Sequence, residues 1–312
     1  MRYSLPVLVA AAIFGLLVQP FPVPAQPLPI IDLHFHPAPG WDLGALVSTF
    51  DSVGVARAGN GAVGPDSVAL LFGEKYPDRF LPFAGQNLIS SFVLREGPRA
   101  WKLESEELVG YLNRIEGQLR DGRSKGLGEF YPNNLNSHPD SRQPTRYPAD
   151  SPLMQRLWLL SATYGVPLSV HMEAEGQSVA EMERLLASDR RGTWVWAHCG
   201  NSAQPPLVRR LLQVHPNLHC ELSRRLSEQL GPGVQAWAID DTGRLQPPWR
   251  ALIEQFPDRF VIGTDCSCTQ SSTYVAFVRQ WRQILAQLSD QTAAKVAHEN
   301  AERILRLPPT GR

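Results

Sequence analysis

Eight short apolar runs alternate with helical stretches along this 312-residue chain, and five of the runs end on an ionisable side chain. Those ends are His36, Glu129, His171, His198 and Asp265, on runs one, four, five, six and eight. His36 to Glu129 spans 93 residues over three steps and His36 to Asp265 spans 229 over seven. One strand–helix unit therefore takes about 31–33 residues, the length of a βα repeat. His171 to His198 takes 27 residues for one step, and His198 to Asp265 takes 67 for two. The 42 residues from Glu129 to His171 include a long polar, proline-rich segment at 131–152. Strands alternating with helices form a parallel sheet, and eight strands close it. We expect an α/β fold, a distorted (β/α)8 TIM barrel. No glycine-rich phosphate loop follows the first run, which counts against an open doubly wound sheet.

The eight strands are read at 30–36, 52–58, 80–84, 125–130, 166–171, 193–198, 218–222 and 259–265. Asp42 is expected to cap a helix to Phe50, and Pro65-Asp66 to open one toward Tyr76. Residues 105–119 carry Leu108, Leu112, Ile115 and Leu119 at helical spacing. Further helices are expected at 153–164, 179–186, 206–214, 274–288 and 292–305. The stretches 59–64, 131–152 and 231–248 read as loops over the rim that would set substrate choice.

In such barrels the C-terminal strand ends build the active site. On the first strand, His34 and His36 lie two apart and so share a face. Alternation counted back from each polar end places Ile30, Asp32, Lys125, Leu127, Ser169, Trp196 and Gly263 in inward layers. His34 joins these ends at the rim, and so many buried imidazoles and carboxylates at one place are costly without a cation among them. A divalent metal is the expected occupant. The remaining histidines lack such support: His215 reads as a helix terminus, His298 as a helix residue, His138 as a solvated loop residue, and His219 has no clear direction. Arg224 and Arg225, just past strand seven, read as exposed side chains that could meet a substrate carboxylate. Trp194 and Trp196 read as barrel packing, with Trp196 a candidate pocket floor.

The chain opens on Arg2, runs apolar from Leu5 to Val18 and presents Val23 and Ala25 at the −3 and −1 positions of a cleavage site. We expect residues 1–25 to be a secretory signal peptide, because the run falls short of the roughly 20 residues of a bilayer span. Residues 26–312 would then be a single barrel domain in the periplasm or secreted medium, with no membrane contact after cleavage. Basic and acidic residues balance at 30 each, which gives no reason to expect nucleic acid as a partner. A small-molecule substrate is expected, and a homo-oligomer is left open. Four cysteines, Cys199, Cys220, Cys266 and Cys268, make no disulfide scaffold. Buried free thiols are the preferred reading, since Cys266 and Cys268 sit too close in an extended segment to pair.

The chain resembles the amidohydrolase superfamily, in its amidohydrolase-2 branch with the aminocarboxymuconate-semialdehyde decarboxylase-like proteins. Asp32-Leu33-His34-Phe35-His36, Gly126-Leu127-Gly128-Glu129 and Gly165-Val166-Pro167-Leu168-Ser169-Val170-His171 carry the resemblance, together with Trp196-Ala197-His198-Cys199-Gly200, Gly263-Thr264-Asp265 and Glu299-Asn300-Ala301-Glu302-Arg303-Ile304-Leu305. It implies a divalent metal, zinc first, at His34, His36, His171 and Asp265. Asp265 would handle the proton of metal-bound water, and His198 would act as an acid–base group or hold a second ion. Glu129 departs from one-metal members and could bridge two ions. The first functional reading is an exported metal-dependent hydrolase cleaving an amide, ester or lactone. The alternative is a non-oxidative decarboxylase of a small, aromatic acid, and a non-catalytic metal- or ligand-binding barrel comes third.

Overall fold

A computed structural model describes residues 28–134, 145–225, 238–240, 242–267 and 271–310. The strands are β1 (Ile30–Asp32), β2 (Val55–Ala58), β3 (Phe83–Gly85), β4 (Gly126–Asn134), β5 (Thr145–Arg146), β6 (Pro167–Met172), β7 (Thr193–Ala197), β8 (Leu218–Glu221) and β9 (Phe260–Val261). All but β5 pair in parallel, in the order β1-β2 and β3-β4-β6-β7-β8-β9. Single bridges Ala58–Phe80 and Asp32–Ile262 join the two arcs, so eight parallel strands make a closed ring. β5 is an antiparallel addition to the long end of β4, inside the segment read as loop.

Around the ring run α1 (Leu43–Val53), α2 (Asp66–Lys75), α3 (Gln86–Glu96), α4 (Pro98–Trp101), α5 (Glu106–Arg120) and α6 (Pro152–Tyr164). They are followed by α7 (Gly176–Ser188), α8 (Pro205–Val214), α9 (Pro247–Gln255), α10 (Ser271–Leu285), α11 (Asp290–Ala294) and α12 (Asn300–Leu305), with a π turn at Lys295–Glu299 before the last. Asp42 caps α1 as expected, accepting from the backbone of Gly44 and Ala45. The expected stripe of α5 is buried against the sheet, each side chain contributing roughly 1.5–3 kcal/mol. Three helices, α3, α4 and α9, lie where the sequence suggested none. α3 starts at Gly85 with no side-chain cap, and its Ser90 and Ser91 turn back on backbone carbonyls. α9 begins on two prolines that resemble loop but suit a first helical turn. No helix among the described residues is long and apolar enough to cross a membrane.

The barrel interior holds Ile31, Leu33, Leu81, Phe83, Val195 and Val261, with Ala301 and Ile304 of α12 as its floor. Asn300 fixes α12 there by donating to the carbonyls of Pro257 and Phe260 at the start of β9. This packing corrects the alternation on three strands. Ile30, Leu127 and Trp196 belong to the outer core under the helices, and Trp196 donates to the Met172 carbonyl. Asp32 also faces away from the pocket, toward Tyr274 of α10. Bends cause the difference: the strand conformation of β1 stops at Asp32, and the register of β4 shifts between Leu127 and Phe130. Ser169 and Gly263 do lie on the inner side, against Asn60 and Glu221 respectively.

Asp32 is fully buried and accepts from the backbone of His34 and Thr264, the Thr264 hydroxyl and the Tyr274 hydroxyl. It thereby ties β1 to the chain after β9 and to α10. Replacing it with alanine strands several donors, and Asp32→Ala should cost about 3 kcal/mol in urea unfolding. A loss within 0.5 kcal/mol would contradict this role. His219 offers a pH test, since it is buried and neither ring nitrogen has a hydrogen-bond partner. Burial, with Arg259 and Arg303 nearby, holds its pKa well below the ordinary 6.5. The unfolded chain binds this proton first, so folding stability falls as pH drops below about 6.5, by up to ~1.4 kcal/mol per unit. His219→Leu should remove that part of the slope, and an unchanged slope would count against it.

Candidate metal centre

The polar strand ends meet at the mouth opposite α12. His34 and His36 arrive side by side after the bend in β1, their rings edge to face at 4.9 Å. His34 Nε2 lies 3.2 Å from Glu129 Oε2 and 3.4 Å from Asp265 Oδ1. His36 Nε2 lies 3.6 and 3.2 Å from the same two oxygens. All four ligand atoms fall within 4.8 Å of one another. A tetrahedral ion with bonds of 2.0–2.1 Å has ligand–ligand edges of about 3.3 Å, so these spacings suit one. His36 Nδ1 sits 2.9 Å from the Gly61 carbonyl, which can only accept, so its Nε2 lone pair faces the carboxylates. His34 Nε2 is buried without a hydrogen bond, as an atom awaiting a ligand would be.

A second cluster shares Glu129. Its other oxygen, Oε1, lies 3.3 Å from His171 Nδ1 and 3.5 Å from His198 Nε2, and those nitrogens are 3.1 Å apart. His171 therefore groups with His198 rather than with the His-x-His pair, a departure from the set that the resemblance implies. Asn201 lies 3.0 Å from His171 Nε2 through its amide nitrogen, while its Oδ1 has no partner. Exchanging the two amide atoms lets Nε2–H donate to Oδ1 and leaves the Nδ1 lone pair toward Glu129. Glu129 thus presents one oxygen to each cluster, in the position expected of a bridge.

The electrostatics follow from burial. Burial pushes the Glu129 carboxyl up, but the charge on protonated His34 holds it well below the usual range in the ion-free site. Burial lowers His198 to about 4, against the pull of Glu129, so it is neutral near pH 7. Burial likewise works against ionised Asp265, and above all the Arg224 guanidinium holds it well below the usual range. Arg224 donates from Nε to Asp265 Oδ2. This corrects the expectation of two exposed arginines: Arg224 is 12% exposed, and Arg225 is fully buried, donating to the carbonyls of His198 and Cys199 and stacking on Trp249.

Five of the seven described non-glycine residues with positive φ lie here: His198, Cys199, Asn201, Arg224 and Asp265. Each costs of order 1 kcal/mol, and such strain gathers at functional sites. These turns aim side chains inward just past the strands, which is why the polar ends converge although the alternation behind them fails. Asp265 leaves the extended conformation at φ 52°, and Cys266 beside it is disulfide-bonded. The expected free thiol is therefore corrected at Cys266. Cys199 and Cys220 are free and buried, while Cys268 lies outside the described residues. His138 and residues 231–237 and 241 of the loop at 231–248 also lie outside them.

Several site residues escape the sequence reading. Glu221 ends β8 and approaches His34 Nδ1 at 2.6 Å, with Ser223 beside it. The polar alternation His219, Glu221 on that strand is the signal that could have found it. Tyr131, two residues past Glu129, donates to Glu129 Oε2 at 3.0 Å and lies 5.4 Å from the His171 ring. Gly61 and Gly263 are required by close approach. A Cβ on Gly61 would meet the Gly128 carbonyl at 2.2 Å, and one on Gly263 would meet the Glu221 carboxyl at 2.4 Å.

Solved structures with the same fold cover nearly the whole chain at low identity. A 2,6-dihydroxybenzoate decarboxylase complexed with 2,6-dihydroxybenzoate is 13% identical with TM-score 0.55, over 90% of this chain and 100% of that one. A dihydroxybenzoic acid decarboxylase from Polaromonas sp. JS666, with bound manganese and the inhibitor 2-nitroresorcinol, is 12% identical with TM-score 0.55, over 90% and 98%. An amidohydrolase from Burkholderia multivorans with bound zinc is 16% identical with TM-score 0.50, over 85% and 88%. No curated protein matches the sequence. The family model described as Amidohydrolase matches residues 112–307, more than half of the chain and five of the eight barrel strands. The chain belongs to the amidohydrolase family.

Proposed function

We propose that the protein is a metal-dependent carboxy-lyase that releases carbon dioxide from a small, aromatic acid. The observation that carries this reading is the commitment of both Asp265 oxygens: Oδ1 faces His34 and His36, and Oδ2 accepts from Arg224. Metal-assisted hydrolysis needs a base for the proton of the attacking water. An aspartate engaged on both oxygens and held ionised by a guanidinium is a weak one. The same guanidinium suits an acid substrate, because a carboxylate entering the mouth meets positive charge beside the shell. Two of the similar solved structures are decarboxylases of dihydroxybenzoic acids, and that supports the same choice.

His34, His36, Glu129 and Asp265 would hold the ion, with His171 and His198 holding a second one against the other oxygen of Glu129. When bound, a divalent ion supplies Lewis-acid stabilisation of the charge left on the substrate, and zinc and manganese both suit the donors. Tyr131 orients Glu129 by its hydrogen bond to Oε2. The imidazoles are buried to 5% exposure or less, so water is largely kept from the reacting end. The second reading is hydrolysis of an amide, ester or lactone. It is favoured by the bridging placement of Glu129, which suits a two-metal hydrolase, and by the export that the leader-like residues 1–25 lead us to expect.

Two measurements test these statements. Metal-loaded protein should release carbon dioxide from one or more members of a hydroxybenzoic acid panel, with no oxygen from labelled water in the organic product. Turnover of esters, lactones or amides with incorporation of that oxygen, and none of the acids, would overturn the carboxy-lyase reading. Elemental analysis should find two ions per chain in the wild type and at most one in Glu129→Ala. One ion in both would remove the two-metal arrangement.

A further inference from the structure

Behind the two clusters, at the end of β8, one carboxylate contacts both. Glu221 is fully buried, and its Oε2 lies 2.6 Å from His34 Nδ1, 2.7 Å from Ser223 Oγ and 3.4 Å from the backbone nitrogen of His198. Its Oε1 accepts from the backbone N–H of Ser223. Ser223 Oγ in turn lies 2.8 Å from His198 Nδ1 and, more distantly, 3.4 Å from His34 Nδ1. Four donor positions face this carboxyl, the Ser223 N–H and hydroxyl, the His198 N–H and His34 Nδ1, so it acts as an acceptor throughout.

The proton positions then follow in order. Ser223 must give its hydroxyl proton to Glu221, and its oxygen is left with lone pairs for His198. Nδ1 of His198 therefore carries a proton, and Nδ1 of His34 carries one toward Glu221. At a pH where both rings are neutral, the lone pair is then forced onto Nε2. Those are the atoms that face Glu129, at 3.2 Å from His34 to Oε2 and 3.5 Å from His198 to Oε1. His36 is set independently by the Gly61 carbonyl. Glycine at 263 leaves the only room for the Glu221 carboxyl, since a Cβ there would come within 2.5 Å of it.

We propose that Glu221 is the positioning residue that sets the proton-bearing nitrogen of His34 directly and of His198 through Ser223, so that one carboxylate prepares both halves of the centre. This rests on the metal reading above for its purpose, and on hydrogen-bond chemistry alone for its geometry. Carboxylate partners behind metal-binding histidines change affinity by about 10–100-fold when removed. Glu221→Gln can donate to His34 Nδ1, so the His34 proton moves to Nε2 and both ions bind at least tenfold more weakly. Ser223→Ala releases His198 alone, and only the second ion weakens. Ser223→Thr keeps the hydroxyl and restores it.

The test is 15N NMR of labelled histidine in the metal-free protein at alkaline pH, paired with chelator competition for zinc. We expect Nδ1-protonated His34, His36 and His198 in the wild type. His34 and His198 should change in Glu221→Gln, His198 alone in Ser223→Ala, and none in Ser223→Thr. His36 unchanged throughout shows that each variant is folded at the site. Nε2-protonated His34 or His198 in the wild type, or no tautomer change in either Glu221→Gln or Ser223→Ala, would overturn the proposal. Wild-type protein that binds no zinc while showing these tautomers would remove the metal reading and leave the assignment of Glu221 standing.

Discussion

Three carboxylates withdrawn from water at one mouth dominate the energetics of this barrel. Glu129 is 2% exposed, Glu221 is fully buried and the Asp265 side chain is 8% exposed. Each would cost several kcal/mol as an isolated buried ion. Imidazoles, backbone amides and the Arg224 guanidinium supply the compensating partners, and a divalent ion between Glu129 and Asp265 would complete them. The eightfold ring brings these groups together from β1, β4, β8 and the chain after β9, which no local segment could do. The hydrogen bonds of Asp32, across the closing bridge from β1, hold the first and last of these elements in register.

The two ends of the barrel divide the work. At the floor, α12 and a small apolar cluster seal the interior, and the side chains follow ordinary strand alternation. At the mouth, bends and left-handed residues break that alternation and turn His198, Arg224 and Asp265 toward a common centre. Backbone strain is thus concentrated where side chains must converge. Glycine is kept where a carboxyl or a carbonyl passes too close for a Cβ.

Much of this was legible in the sequence for a physical reason. A repeat of about 31–33 residues is the length of a strand, a helix and two turns, so polar residues at that interval must lie on one rim. His34, His36, Glu129, His171, His198 and Asp265 all meet there. What lay beyond the sequence depends on local bends. Alternation counted inward from His198 put Trp196 in the pocket, yet the turn at His198 places Trp196 among the outer helices. Grouping was equally hidden, because which carboxylate oxygen faces which imidazole is a matter of ångströms. Arg224 and Arg225 look solvated by type, and only the packing around β8 shows them buried. Glu221 could have been found from its period-two relation to His219.

The central claim is that His34, His36, Glu129 and Asp265 share one ion, with Glu129 bridging to a second held by His171 and His198. Anomalous diffraction from crystals of zinc-loaded protein, recorded at the zinc edge, tests it most directly. Two peaks are expected on opposite sides of the Glu129 carboxylate, one within about 2.1 Å of His34 Nε2 and His36 Nε2 and the other within about 2.1 Å of His171 and His198. A single peak bound by His171 together with His34 and His36, with Glu129 turned away, would contradict it.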